Sequence, residues 1–117
     1  MNYSHHYYKL GNRVYTTIRK SKKPNQKVGT IELEYFNNIL IHKVEILRIE
    51  RVILDKLNES LLIMDCLYPN SKIDSRENCY ELFKSFYVNE IDFSTQIFYL
   101  FLLKKVKNEI KIGNFIK

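Results

Sequence analysis

Ile31, Leu33 and Tyr35 alternate with Thr30, Glu32 and Glu34, the period-two signature of a strand with one buried face. Asn37-Asn38 follows and supplies a hairpin turn, because asparagine tolerates the left-handed backbone of two-residue turns. A return strand then runs from Ile39 to about Val52. Its apolar phase changes near His42 and Lys43, which predicts a bulge or bend of the sort that curls a sheet toward a barrel. Upstream, Val14 to Arg19 is rich in β-formers and is closed by turn residues from Ser21 to Gln26, including Pro24 and Asn25.

The period then becomes helical. Leu54, Leu57, Leu61, Met64 and Leu67 fall on one face with Asp55, Lys56, Asn58 and Glu59 opposite, and Tyr68-Pro69-Asn70 stops the run. This predicts a helix over 54–66. Asp74 or Ser75 caps a second helix over 75–87, with Cys79, Leu82, Phe83 and Phe86 inward. Phe93 to Val106 returns to β composition, and Ile110, Ile112 and Phe115 supply a last edge strand. The expected architecture is α+β: a curved, mainly antiparallel β-barrel with two short helices at one side. No internal repeat or linker divides the chain. At 117 residues it holds one domain, 1–117, with one core, which excludes the longer dinucleotide-binding and (β/α)-barrel enzymes.

Charge changes the picture through its distribution. Residues 1–29 carry seven Lys or Arg and no Asp or Glu; residues 30–103 carry seven bases against twelve acids; a basic C-terminal tail from about 104 carries five bases and one acid. A localised positive end favours polyanions, because each phosphate neutralised releases counterions. The longest apolar run, Ile97 to Leu103, is too short to span a bilayer and reads as a buried strand. With Cys66 and Cys79 as the only cysteines, no Cys-x-x-Cys pair and no signal peptide, the expectation is a cytoplasmic protein with reduced thiols. His5-His6 lacks a third ligand at useful spacing and reads as a mobile polar segment, so neither a metal nor a cofactor is expected.

Candidate chemistry concentrates in Arg13-Val14-Tyr15-Thr16-Thr17-Ile18-Arg19 and the loop Lys20 to Lys27. Arg13, Arg19, Lys20, Lys22, Lys23 and Lys27 are candidate phosphate contacts. Thr17 and Tyr15 are candidate contacts to a base or sugar, Tyr15 by stacking. Taken on its own, Asp65 reads as a helix-end charge facing solvent, and Thr16 and Thr17 suit a plain strand as well as they suit a functional role.

Gly11-Asn12-Arg13, Thr16-Thr17-Ile18-Arg19, Lys27-Val28-Gly29, the stretch Val44 to Val52 and the closing run Ile97 to Leu103 together resemble the ASCH domains of the PUA-like superfamily, over roughly residues 10–105. The resemblance implies a PUA-like barrel with a cleft for RNA or a modified nucleoside. Some members are small amidohydrolases that remove the acetyl group of N4-acetylcytidine with a Lys, a Thr and an acidic residue; others are small ribonucleases, and coactivators carry such domains as protein-interaction adaptors. Carried across, the resemblance assigns Thr17 as the threonine and Asp65 as the acid. The family's lysine position falls on Val14, leaving Arg13, one residue early and always charged, as the nearest cation. Thr30 stands where the family has Asp after Lys-x-Gly. Because the family's lysine is missing, the expectation is a binding module for RNA or a modified nucleoside; in the alternative, hydrolytic reading the catalytic set is Thr17, Asp65 and Arg13.

Overall fold

The computed structural model describes residues 1–87 and 89–106. Five strands form one curled mixed sheet: β1 (Asn2–Tyr3), β2 (Val14–Arg19), β3 (Ile31–Phe36), β4 (Ile39–Ile53) and β5 (Ile97–Lys105). Their order is β1-β3-β4-β5-β2, antiparallel except for the short parallel β1–β3 pair, so the sheet is an open half-barrel. Two helices, α1 (Glu59–Cys66) and α2 (Arg76–Phe86), cover one side.

The β3–β4 hairpin turns at Asn37 and Asn38, both with positive φ (51° and 65°), as their residue type predicts. The curl has a definite origin in β4. Glu34 pairs with His42 but Tyr35 with Leu40, and Ile46 pairs with Leu103 but Arg48 with Leu102, so Ile41 and Leu47 are each an extra residue on the long strand. Two bulges on one strand increase its twist and bend the sheet. The first lies beside the expected phase change at His42.

Two apolar clusters fill the interior. One joins Leu54, Leu62, Cys79, Phe83 and Phe98 between helices and sheet; the other joins Tyr3, Tyr7, Leu10, Tyr15, Val44, Ile46 and Phe101. Within the second, the Glu34 carboxylate is fully buried. It accepts from Tyr3 Oη at 2.6 Å, Tyr15 Oη at 3.2 Å and the Met1 amine at 2.7 Å.

Several boundaries differ from expectation for physical reasons. The predicted helix over 54–66 is divided: Leu54–Lys56 is a 3-10 turn, and Asn58 then caps α1 by accepting from Ser60 and Leu61 N–H. The late start rotates the inward face. Leu62, Asp65 and Cys66 point inward, while Met64 stays 67% exposed. Residues 93–96 form a turn rather than strand, with Gln96 N–H donating to Asp92 O at 2.9 Å. His5 is packed, stacked on Tyr68 at 4.1 Å between centroids. The expected strand at Ile110, Ile112 and Phe115 lies outside the described residues. Among the described residues no helix is long and apolar enough to cross a membrane.

The rotated face of α1 is testable by urea unfolding. Leu62→Ala is expected to cost about 2–5 kcal/mol, and Met64→Ala less than about 0.5 kcal/mol. Equal losses at both positions would contradict the observed helix phase.

Candidate functional site

A cleft of about 200 Å³ opens at the seam between the two apolar clusters. Its polar wall carries Lys9, Asp65, Thr17 and Arg19, and its aromatic wall includes Tyr3, Tyr7, Phe86 and Tyr87. Three separate elements deliver these groups. The segment before β2 forms a 3-10 turn at Tyr8–Gly11, anchored to the end of α1 by Tyr8 N–H donating to Leu67 O at 3.0 Å, and this turn carries Lys9 inward. Asp65 comes from the inward face of α1. Thr17 and Arg19 come from β2, held in place by pairing with Phe101 and Tyr99 of β5.

At the centre is a buried ion pair. Lys9 Nζ donates to Asp65 Oδ1 at 3.0 Å, with Lys9 only 6% and Asp65 only 5% exposed. Thr16 Oγ1 donates to the same oxygen at 3.0 Å. The ammonium lies 5.2 Å from the Tyr7 ring and 5.5 Å from the Tyr3 ring, close enough for a favourable interaction with both π-faces. Burial lowers the proton affinity of Lys9 from its ordinary value, and the Asp65 carboxylate restores part of it. The same burial pushes the Tyr7 phenol up to about 12. Cys66 also lines the cleft, but its hydrogen bond to Cys79 and its burial push the thiol up, so it stays neutral and is a poor nucleophile. Both cysteines are free.

Arg19 is only partly satisfied. Its Nη1 donates to Asn2 O at 3.2 Å and its guanidinium lies 4.8 Å from the centre of the Tyr3 ring, while its buried Nε has no hydrogen-bond partner among the described residues.

The expected site residues divide accordingly. Thr17, Asp65 and Arg19 converge on the cleft. Asp65, which on its own reads as a solvent-facing helix-end charge, is buried on the inward face of α1 beside Leu62 and Cys66. Arg13 is exposed at the start of β2, outside the cleft, where its carbonyl accepts from Lys105 N–H. Tyr15 is buried and bonded through its hydroxyl to Glu34 and to His42 Nε2 at 2.7 Å, so its ring is not free to stack on a base. Lys22 is turned onto its own loop, donating to the carbonyls of Lys23 and Gln26 at 3.2 and 3.1 Å. Lys20 and Lys23 line a neighbouring groove, and Lys27 is exposed outside both. Among the described residues no group of three or more His, Cys, Asp or Glu is placed to hold a metal ion.

Lys9, Thr16, Tyr3 and Tyr7 escaped the sequence reading. The available signal was a lysine set between Tyr7-Tyr8 and Leu10, an apolar setting unusual for a solvated charge. Its counter-ion lies 56 positions away, beyond the reach of local patterning. Comparison with protein-family models, with curated proteins and with solved structures finds no match to this chain.

The lowered Lys9 has a sign that can be checked. Between its folded value and the ordinary 10.5 the unfolded chain binds the extra proton, so stability rises with pH across that window. Tyr7 acts oppositely: its value is raised from 10.0 to about 12, so its contribution is lost as pH climbs from 10 toward 12. The raised Cys66 thiol opposes the Lys9 effect above about pH 9, so the Lys9 contribution is read as the difference in urea midpoint between the wild-type chain and Lys9→Met. That difference is expected to grow in favour of the wild type as pH rises toward 10.5; a difference that does not change with pH would contradict the assignment.

Proposed function

We propose that this chain is an ASCH-type domain of the PUA-like superfamily whose cleft binds a modified pyrimidine nucleoside and hydrolyses an amide on it, as in N4-acetylcytidine. The observation that carries this reading is Lys9 paired with Asp65 in the cleft that Thr17 lines. A lysine, a threonine and an acid are the residue types that the resemblance calls for, and Lys9 takes the part for which Val14 and Arg13 are unsuited. The size of the cleft also supports it. About 200 Å³ lies below the roughly 300–1,000 Å³ of drug-sized sites, which suits one flat ring between aromatic walls better than a run of bases.

The chemistry follows from the environment of each group. In the ion pair Lys9 carries its proton, which burial makes easier to lose; once that proton has left to solvent, the amine accepts the proton of the Thr17 hydroxyl as its oxygen adds to the acyl carbon. The resulting ammonium, steadied by Asp65, returns that proton to the exocyclic nitrogen as the C–N bond breaks. Water then hydrolyses the acyl-threonine ester, releasing the carboxylic acid and restoring the hydroxyl. Arg19 on the cleft wall supplies positive charge toward the carbonyl oxygen as it becomes anionic. Thr16 acts through Asp65, orienting the carboxylate by its 3.0 Å hydrogen bond.

Acetate release from N4-acetylcytidine tests the reading. Thr17→Ala and Lys9→Met are each expected to lower turnover by at least about a hundredfold, and Lys9→Arg should not restore it, because a guanidinium stays charged. Thr16→Val should leave KM nearly unchanged while lowering kcat and moving the ascending limb of its pH profile, on which Lys9 loses its proton. A wild-type chain that releases no acetate where a known amidohydrolase does would end the hydrolytic reading.

A further inference from the structure

Beside the cleft lies a second groove of about 350 Å³. The two share a wall made of Asn2, Arg19 and Tyr87. Its remaining charged side chains are Lys20, Lys23 and Glu32, the last lying 3.9 Å from the Met1 amine, so with Arg19 three side-chain cations share the groove with one carboxylate that already has a positive neighbour. The geometry favours a fixed charge here over a collection of solvated side chains. Lys20 Nζ is held 5.1 Å from the centre of the Tyr87 ring. The loop that carries Lys23 is braced by Lys22 on two carbonyls, by Gln26 Oε1 accepting from Lys23 N–H at 2.9 Å, and by Gly29 at φ 90°, whose N–H donates to Ile46 O at 2.7 Å. Arg19 reaches the shared wall with a buried Nε–H that has no acceptor among the described residues, and a buried donor left unpaired is costly.

We infer that this groove is a phosphate subsite, in which Arg19, Lys20 and Lys23 hold the phosphate of a nucleotide whose base occupies the neighbouring cleft. A phosphate in the groove meets the Arg19 guanidinium where that residue lines the shared wall, and charge-assisted bonds of this kind are stronger than neutral ones. The shared Tyr87 wall puts base and phosphate on adjoining surfaces, as a nucleotide requires. The substrate class is thereby narrowed from a nucleoside to a phosphorylated nucleotide, either a mononucleotide or a residue within RNA. The assignment of the base to the cleft rests on the function proposed above; the phosphate contact itself does not.

Direct binding measurements on the full chain at low salt test the subsite with cytidine, cytidine 5′-monophosphate, pentacytidine and inorganic phosphate. The monophosphate is expected to bind at least about tenfold more tightly than cytidine. Lys20→Ala with Lys23→Ala should erase that gain and leave cytidine affinity as it was, whereas Lys56→Ala, a charge removed elsewhere, should leave the gain intact. Equal affinity for the two ligands, or a gain that survives the double substitution, overturns the subsite. Tighter binding of pentacytidine than of the monophosphate assigns the contact to a phosphodiester in RNA, and the reverse order to a terminal phosphate. Should no cytidine ligand bind, the nucleoside reading falls alone and inorganic phosphate decides the subsite. Shifts in the NMR signals of Arg19 Nε–H and the Lys20 and Lys23 side chains would then sustain it, and their absence would overturn it.

Discussion

Lys9 and Asp65 are opposite charges withdrawn from water and held 3.0 Å apart, and the surrounding structure is arranged to make that arrangement tolerable. Removing a carboxylate or an ammonium from solvent costs several kcal/mol per ion, and mutual attraction offsets it only with good geometry and further hydrogen bonds. Thr16 supplies one such bond and the Tyr3 and Tyr7 rings face the ammonium. The pair also joins parts of the chain that are remote in sequence. It ties the segment before β2 to α1, and it commits α1 to the single rotation that places Asp65 between Leu62 and Cys66 on the buried face. A helix turned the other way would bury Leu61 and Met64 in a wider apolar stripe but strand the lysine.

A second buried carboxylate, Glu34, organises the other end of the interior. It is satisfied by the Tyr3 and Tyr15 hydroxyls, and Tyr15 in turn meets His42. Tyr3 belongs to both systems: its hydroxyl serves Glu34, while its ring faces the Lys9 ammonium and the Arg19 guanidinium. Burial and the nearby Glu34 charge hold the Tyr3 phenol well above its ordinary value, so it remains a neutral donor. One aromatic residue on the two-residue strand β1 therefore couples a structural network to the wall of the cleft. Loss of its ring would disturb both.

The basic segment shows how a single property of the sequence separates into different physical roles. Seven cations without an acid imply a positive surface, but the fold distributes them. Lys9 enters the core, Arg19 lines the wall shared by cleft and groove, Lys22 braces its own loop, Lys20 and Lys23 face the groove, and Arg13 and Lys27 remain in solvent. Net charge is a legitimate argument about the class of partner and is silent about which lysine touches it.

Local signals determined the elements. The alternation from Ile31 to Tyr35, the paired asparagines of the turn, the bulge beside His42 and the Ser75 cap of α2 are each decided by backbone preference or by a periodicity spanning a few residues. These were legible in the sequence, whereas the meeting of Thr17 and Asp65 at one cleft is seen in the structure. Only the tertiary structure decided the phase of α1, which docks through Leu62, Asp65 and Cys66 rather than through the leucine spacing, and the fate of Tyr15, whose hydroxyl found a buried carboxylate. It alone revealed Lys9 as the partner of Asp65. Burial of a charge becomes favourable only once its counter-ion is in place, and a counter-ion 56 residues away is brought there by the curl of the sheet and the docking of α1, which no local window of sequence contains.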